Sequence, residues 1–498
     1  MTPRRGSLSG QAAILAFGAL FTQAATLASL IVLTRLVAKG ALGGYQQLWL
    51  IYGILSPFLV GGVPTALLYF LPRAQDENEA RRWVFDAYVV LAALGLVSSL
   101  GILLLRDPIA GGTNNHALAG ALLLYAPYPF FAFLTAGMPS ALIASGRAKL
   151  AAALNALNGV LTVGIVIAAA IVSPTTRSMA AGLTISAAAV AMISTAVVLY
   201  VLRVPRALDR RSISWRPLLA YGLPLALTQL AGRLGFQIDR LVVSAKYSPA
   251  EFAIYAVGAV DIPIAVVVQQ AVNSVLVPAL SRLHAEGDLS GIARLWQAAI
   301  RKTSLIMLPL FAFLMLMADS VVHVLYGSAF AGSVPIFRAY LFLVPLRVVT
   351  YALITQAVGK TSINFSASLV LLAANAVFAV SLVFPLGTLG PAIATPLASV
   401  VAAAYYLVRL RSVLGLKIAD LLPWRLLLAN LGVSFAAAAP LLALFAVPLS
   451  PFVRLALGAL MFLPAYAVAL RVTGRLTRTE WRMLHQLLAA RRGRAVTA

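Results

Sequence analysis

A charged side chain near the middle of an apolar helix costs about 2.5–3.5 kcal/mol on membrane-insertion scales, so such residues mark sites where polar chemistry is needed. Two apolar segments of this sequence hold most of them. Residues 217–245 carry Gln229, Arg233, Gln237 and Arg240, spaced i, i+4, i+8 and i+11, with Asp239 beside them. On a helix these four form one polar stripe. Residues 250–280 open near Glu251 and hold Asp261 near mid-depth, followed on the same face by Gln269 and Asn273. Residues 334–357 add Arg347 near mid-depth and Arg338 toward one end. The mid-depth arginines outnumber the nearby acids, which predicts a net positive cavity. Such a cavity suits an anion, above all a phosphate, which guanidinium grips with two parallel hydrogen bonds. In the competing reading Asp239 or Asp261 neutralises Arg233, Arg240 or Arg347 to tie helices together, while Arg240 and Arg338 reach toward the headgroups. The same two acids are the candidates for coupling to H⁺ or Na⁺, and no other cofactor is expected.

The first half of the chain is different. Its spans lack charge and offer Gln23, Thr26, Ser56, Tyr125, Tyr128, Asn155 and Asn158. These groups suit hydrogen bonding between helices, and they equally suit a groove for sugar hydroxyls.

Catalysis finds little support. The chain has 14 acidic residues and 4 histidines, with no cysteine. His116, His284, His323 and His485 lie far apart, and no paired-carboxylate motif is visible. Thiolate chemistry and disulfides are excluded outright.

The elements that must position these residues are read from composition. The chain of 498 residues is 61% hydrophobic and 10% charged, against about 45–50% and about 25% in soluble domains. Marking apolar stretches of about 18–25 residues gives about fourteen transmembrane helices. The net charge of +24 would suggest nucleic acid in a soluble protein. Here the basic residues fall between apolar runs, on alternate connections: Arg73, Arg81 and Arg82, then Arg147 and Lys149, then Arg203 to Arg216, and so on to the tail. That pattern excludes nucleic acid as partner and predicts both termini in the cytoplasm. The run from Gln11 to Val37 has no small-residue cleavage signature and reads as a retained first helix.

A weak internal repeat supports a division into two. Leu15 to Gly18 is echoed by Leu219 to Gly222, Thr22 and Gln23 by Thr228 and Gln229, and Arg35 to Val37 by Arg240 to Val242. The expected architecture is all-α: a lobe of six helices over 8–203, a basic cytoplasmic linker over 204–216, a second lobe of six over 217–414, and two further helices over 423–471. A capping box at Thr477 to Glu480 opens an amphipathic tail helix over 477–492, lying on the membrane surface.

The residues Arg35 to Val37, Gly44 and Tyr45, Leu219 to Pro224, Asp239 and Arg240, Val277 to Arg282, and Leu325 to Gly327 together resemble the bacterial polysaccharide flippases of the multidrug/oligosaccharidyl-lipid/polysaccharide (MOP) superfamily. The resemblance spans residues 8 to 470. It implies two lobes facing each other across a cavity that opens alternately to either side. The implied substrate is an undecaprenyl-pyrophosphate-linked oligosaccharide, an O-antigen, capsule or exopolysaccharide repeat unit, moved from the inner to the outer leaflet of the bacterial cytoplasmic membrane. A polysaccharide polymerase and glycosyltransferases are the implied partners. Arg233, Arg240 and Arg347 best match the family's basic cavity residues. Lipid II flippases and multidrug/cation antiporters of the same superfamily are the alternatives; the charge-poor first half departs from the former and the arginine excess from the latter.

Overall fold

The computed structural model describes residues 25–202 and 215–475, and over these the chain is helical almost throughout. The linker residues 203–214, Gln23 and the tail helix expected over 477–492 lie outside the described residues.

The first half runs through α1 (Ala25–Leu36), α2 (Lys39–Gly61), α3 (Val63–Phe70), α4 (Glu77–Leu104), α5 (Arg106–Gly112), α6 (Leu118–Tyr125), α7 (Tyr128–Ala144), α8 (Ala148–Val172) and α9 (Thr176–Val201). The second half opens with four helices, α10 (Trp215–Gly235), α11 (Ile238–Lys246), α12 (Pro249–Gly258) and α13 (Pro263–Ala285). Then follow α14 (Leu289–Tyr326), α15 (Ser333–Leu341), α16 (Leu343–Leu346), α17 (Tyr351–Ala357), α18 (Ser362–Leu386) and α19 (Leu389–Leu414). The short α20 (Ile418–Leu421) leads to α21 (Trp424–Ala438) and α22 (Pro451–Val472), which pack on α14 and on each other.

Among the described residues, 11 helical stretches are long and apolar enough to cross a membrane, or 12 when α6 and α7, bent by 44° at Ala126 and Pro127, count as one. The two other expected spans are also helical. One is α1, at the edge of the described residues; the other is divided between α10 and α11. The protein is therefore an all-helical, multi-pass membrane protein.

Its exterior is apolar, as lipid requires: Leu104, Val172 and Val472 are 78%, 86% and 81% exposed. Helix starts are set by side-chain caps. Asp76 accepts from the Glu79 amide at 2.7 Å, and Ser248 and Glu251 form a reciprocal capping box. Gly415, at φ +67°, ends α19 in the left-handed conformation that other residues rarely adopt.

Helix α2 ties the halves together, packing on α10, α11 and α12. Small residues allow it. A methyl group on Gly43 would lie 1.7 Å from the Pro249 carbonyl oxygen, and one on Gly222 would lie 2.6 Å from the backbone carbon of Gly62. Between these ends sits Gln47, fully buried, whose amide donates to the Thr113 carbonyl at 2.8 Å and the Ser244 hydroxyl at 3.1 Å while accepting from Asn115 at 2.7 Å.

Breaks replace some expected continuity. Helix α10 runs through Pro224, and the chain breaks at Phe236 and Gln237. The break before Pro263 is present, over residues 259–262, and a third follows Pro345 over residues 347–350. A proline at the first position of a helix costs nothing, which is why Pro263 starts α13 cleanly.

Gly43→Val should lower stability by about 1–3 kcal/mol through overpacking against the Pro249 backbone. Thermal melting of the purified protein checks this. Gly40→Ala, where an added methyl meets nothing within 4 Å, is the control and should melt no earlier than the parent.

Candidate functional site

The charged residues of the second half gather where its helices break. Arg233 lies in the last turn of α10, Gln237 caps α11, and Asp239 and Arg240 fill the first turn of α11. Ala259 to Ile262 form the break between α12 and α13, and Arg347 ends α16.

Two of the arginines are spent on the α12–α13 break. The Ala259 carbonyl would ordinarily accept from the amide four residues on, but that residue is Pro263 and has none. The Arg240 guanidinium donates to this carbonyl instead. Arg347 Nη2 donates to Asp261 Oδ1 at 2.7 Å, an ion pair whose side chains are 21% and 60% exposed respectively. Both arginines thus satisfy polar groups that a broken helix leaves inside a membrane.

Asp239 is fully buried. Its Oδ2 accepts from the Tyr255 hydroxyl at 2.5 Å and from the Tyr340 hydroxyl, which joins α11, α12 and α15, while Oδ1 has no partner. The expected pairing of an acid with an arginine therefore holds for Asp261 and Arg347, whereas Asp239 is held by two tyrosines.

Arg233 and Arg338 are exposed and make no hydrogen bond or ion pair among the described residues. They differ in surroundings. Arg338 sits on α15, whereas Arg233 acts electrostatically on Tyr52 of α2, across the interface between the halves.

Two cavities flank this interface. The first, about 270 Å³, lies in the first half and is lined by Tyr52, Tyr128, Thr135, Ser140, Asn155 and Asn158, with no charged residue in its wall. The second, about 210 Å³, lies in the second half and is lined by Gly232, Gln269, Arg347, Tyr351, Ser399 and Tyr406. Gly232 lines the second cavity, and the next residue, Arg233, a third of a turn further round α10, lies within electrostatic range of Tyr52, which lines the first.

The expected polar lining is brought together in part. Tyr128 and Asn155 line the first cavity and Gln269 the second. Tyr125 does not: it stacks on Tyr128 at 4.8 Å, 1% exposed, with its hydroxyl donating to the Leu48 carbonyl at 3.4 Å. Gln229 is exposed on α10 and borders neither cavity. Gln237 lies against Gly53, and Gln237 Oε1 and Asn273 Oδ1 are buried without partners.

Sequence reasoning missed Tyr52, Tyr351 and Tyr406. Tyr52 had a legible signal: Tyr45, Trp49 and Tyr52 recur at i, i+4 and i+7 along α2, and their rings meet edge to face. Tyr351 and Tyr406, on separate helices, had none.

Among the described residues no group of three or more His, Cys, Asp or Glu could hold a metal ion. The arrangement can bind and orient an anion beside neutral hydroxyls. It offers no acid–base pair for bond cleavage.

No curated protein matches the chain in sequence. Solved structures match in fold. The lipid II flippase MurJ in an inward closed conformation is 14% identical with a TM-score of 0.73, over 92% of this chain and 99% of that one. An inward-facing multidrug resistance MATE family transporter of the MOP superfamily is 19% identical with a TM-score of 0.62, over 79% and 95%. A MOP superfamily transporter from Pyrococcus furiosus, described as having a binding pocket of reversed polarity, is 18% identical with a TM-score of 0.58, over 83% and 98%. Residues 32–335, well over half of the chain, match a family described as polysaccharide biosynthesis protein, and the chain belongs to that family.

Proposed function

We propose that this protein is a flippase that carries an undecaprenyl-pyrophosphate-linked oligosaccharide, such as an O-antigen, capsule or exopolysaccharide repeat unit, from the inner to the outer leaflet of the bacterial cytoplasmic membrane. Membership of a polysaccharide biosynthesis family and a fold shared with MOP transporters support a carrier over an enzyme. The observation that carries the reading is Arg233, an exposed guanidinium with no hydrogen bond or ion pair among the described residues, within electrostatic range of Tyr52 in the wall of a neutral cavity rich in hydroxyl and amide groups. A pyrophosphate joined to a sugar has the same two-part chemistry: a dianionic head for the arginine and hydroxyls for Tyr128, Asn155 and Asn158.

In this reading the lobes 8–203 and 217–414 rock about the interface on α2, the residues of 423–471 flank the second lobe, and both termini face the cytoplasm. Arg233 holds the pyrophosphate and Arg338 is a second anion contact on α15. Arg240 and Arg347 shape the site through the α12–α13 break. The polyprenyl tail stays in lipid. A polymerase and glycosyltransferases work on either side of the transport step. Of the two acids proposed for ion coupling, Asp261 is reachable by water and Asp239 is sealed. A cation antiporter fits poorly, because the first cavity has no acid in its wall.

Removing a charged hydrogen-bonding group costs about 1.5–3 kcal/mol. Arg233→Ala should therefore reduce glycan export in complemented cells by about tenfold or more, with Arg233→Lys recovering part of it. Export at the parental rate by a normally inserted Arg233→Ala protein would sink the assignment.

Moving two negative charges outward against an inside-negative potential is favoured by about 2.3 kcal/mol per charge per 100 mV. Translocation of the lipid-linked glycan in reconstituted vesicles should accelerate when such a potential is imposed. Indifference to voltage would leave H⁺ or Na⁺ coupling as the driving force.

A further inference from the structure

The second cavity has features that pyrophosphate does not use. The rings of Tyr351 and Tyr406, both in its wall, stack on one another 5.6 Å apart at 12°. Tyr406 is fixed in place: its hydroxyl donates to Asn364 Oδ1 at 3.2 Å, and the same oxygen accepts from Thr355. Tyr351 is braced by Trp296, whose ring lies edge-on at 6.3 Å. The Tyr351 hydroxyl and the Gln269 carboxamide make no hydrogen bond among the described residues, so two polar groups in the wall are unspent.

Arg347 completes the wall. Its side chain is four-fifths buried, and the one carboxylate on it, that of Asp261, is 60% exposed and lies outside the cavity wall. An ion pair with one partner so exposed to water is easily exchanged. A second carboxylate entering the cavity can take the place of Asp261 on Arg347, because the Asp261 side chain is the exposed member of the pair.

The volume of about 210 Å³ is below the roughly 300–1,000 Å³ of sites that enclose drug-sized molecules. It holds one ring. An aromatic face is electronegative and attracts the C–H face of a pyranose, a guanidinium grips a carboxylate through two parallel hydrogen bonds, and a hydroxyl and an amide serve ring hydroxyls. Arg233, whose chemistry suits phosphate, does not line this cavity and lies instead within electrostatic range of Tyr52 in the wall of the other.

We propose that the second cavity is a subsite for one acidic sugar of the exported glycan, a hexuronate whose carboxylate displaces Asp261 from Arg347 while its ring packs against the stacked tyrosine pair. The proposal rests on the glycan-export reading and deepens it: the substrate is an acidic oligosaccharide, held by its pyrophosphate on one side of α10 and by a uronate on the other.

The test uses the full chain in lipid nanodiscs with methyl β-glucuronide, methyl β-glucoside and inorganic pyrophosphate as probes, followed by saturation-transfer NMR. The glucuronide should bind about tenfold or more tightly than the glucoside, the difference of one charge-assisted contact. Arg347→Gln and Tyr406→Leu should each abolish that binding. Asp261→Asn should strengthen it, because the competing carboxylate is gone, and a gain cannot come from misfolding. Pyrophosphate should not displace the glucuronide. Equal binding of the two sugars, weaker binding by Asp261→Asn, or displacement by pyrophosphate would each overturn the proposal. The two readings fail separately. Glucuronide binding alongside parental export by Arg233→Ala removes only the pyrophosphate clamp, whereas export loss in Arg233→Ala without glucuronide binding removes only this subsite.

Discussion

A backbone carbonyl inside a membrane must find a donor, and at Ala259 the amide that would serve is missing because Pro263 follows at the right distance to deny it. Much of the second half is arranged around that deficit. Arg240 reaches over from α11 to the carbonyl, Arg347 reaches from the end of α16 to Asp261 two residues on, and Asp239, next to Arg240, is gripped by tyrosines from α12 and α15. Five helices are thereby fixed relative to one irregular segment. Their charges do not balance into a simple pair network. One carbonyl, one ion pair and one hydroxyl-bound carboxylate each absorb part of the polarity, and Arg233 is left over.

The halves share helical architecture and differ in chemistry. The first cavity is neutral and hydroxyl-rich, and the second carries a guanidinium and paired aromatic rings. Unlike pockets in the two halves suit a ligand whose parts are unlike, and they suit poorly a small uniform cation.

The helical content and the segments that cross the membrane were legible because lipid contact forces long apolar runs, whereas the polar stripe expected on one helix over residues 229–240 is divided by the break at Phe236 and Gln237. The use to which each arginine is put was not legible. Arg240 bonds a carbonyl whose deficit depends on a proline in another helix, and sequence alone does not bring those two together. Tyr125 and Tyr128 are three residues apart and look alike, yet one is sealed behind α2 and the other faces the cavity. Pro224 is accommodated within α10, whereas the chain turns at Phe236 and Gln237, just after the buried Gly235, whose carbonyl accepts from the Asn375 amide at 2.7 Å.

The contacts at the two ends of α2 are backbone against backbone, Gly43 on Pro249 and Gly62 on Gly222. Interlocked side chains must rotate out of their sockets before two surfaces separate, and that adds a kinetic barrier to the loss of contact. Bare glycine surfaces have no such teeth. The joint on α2 therefore sets close backbone contact at its two ends against the hydrogen bonds of Gln47 between them, so the distance between the halves is fixed at the ends by backbone rather than by side chains that could change rotamer.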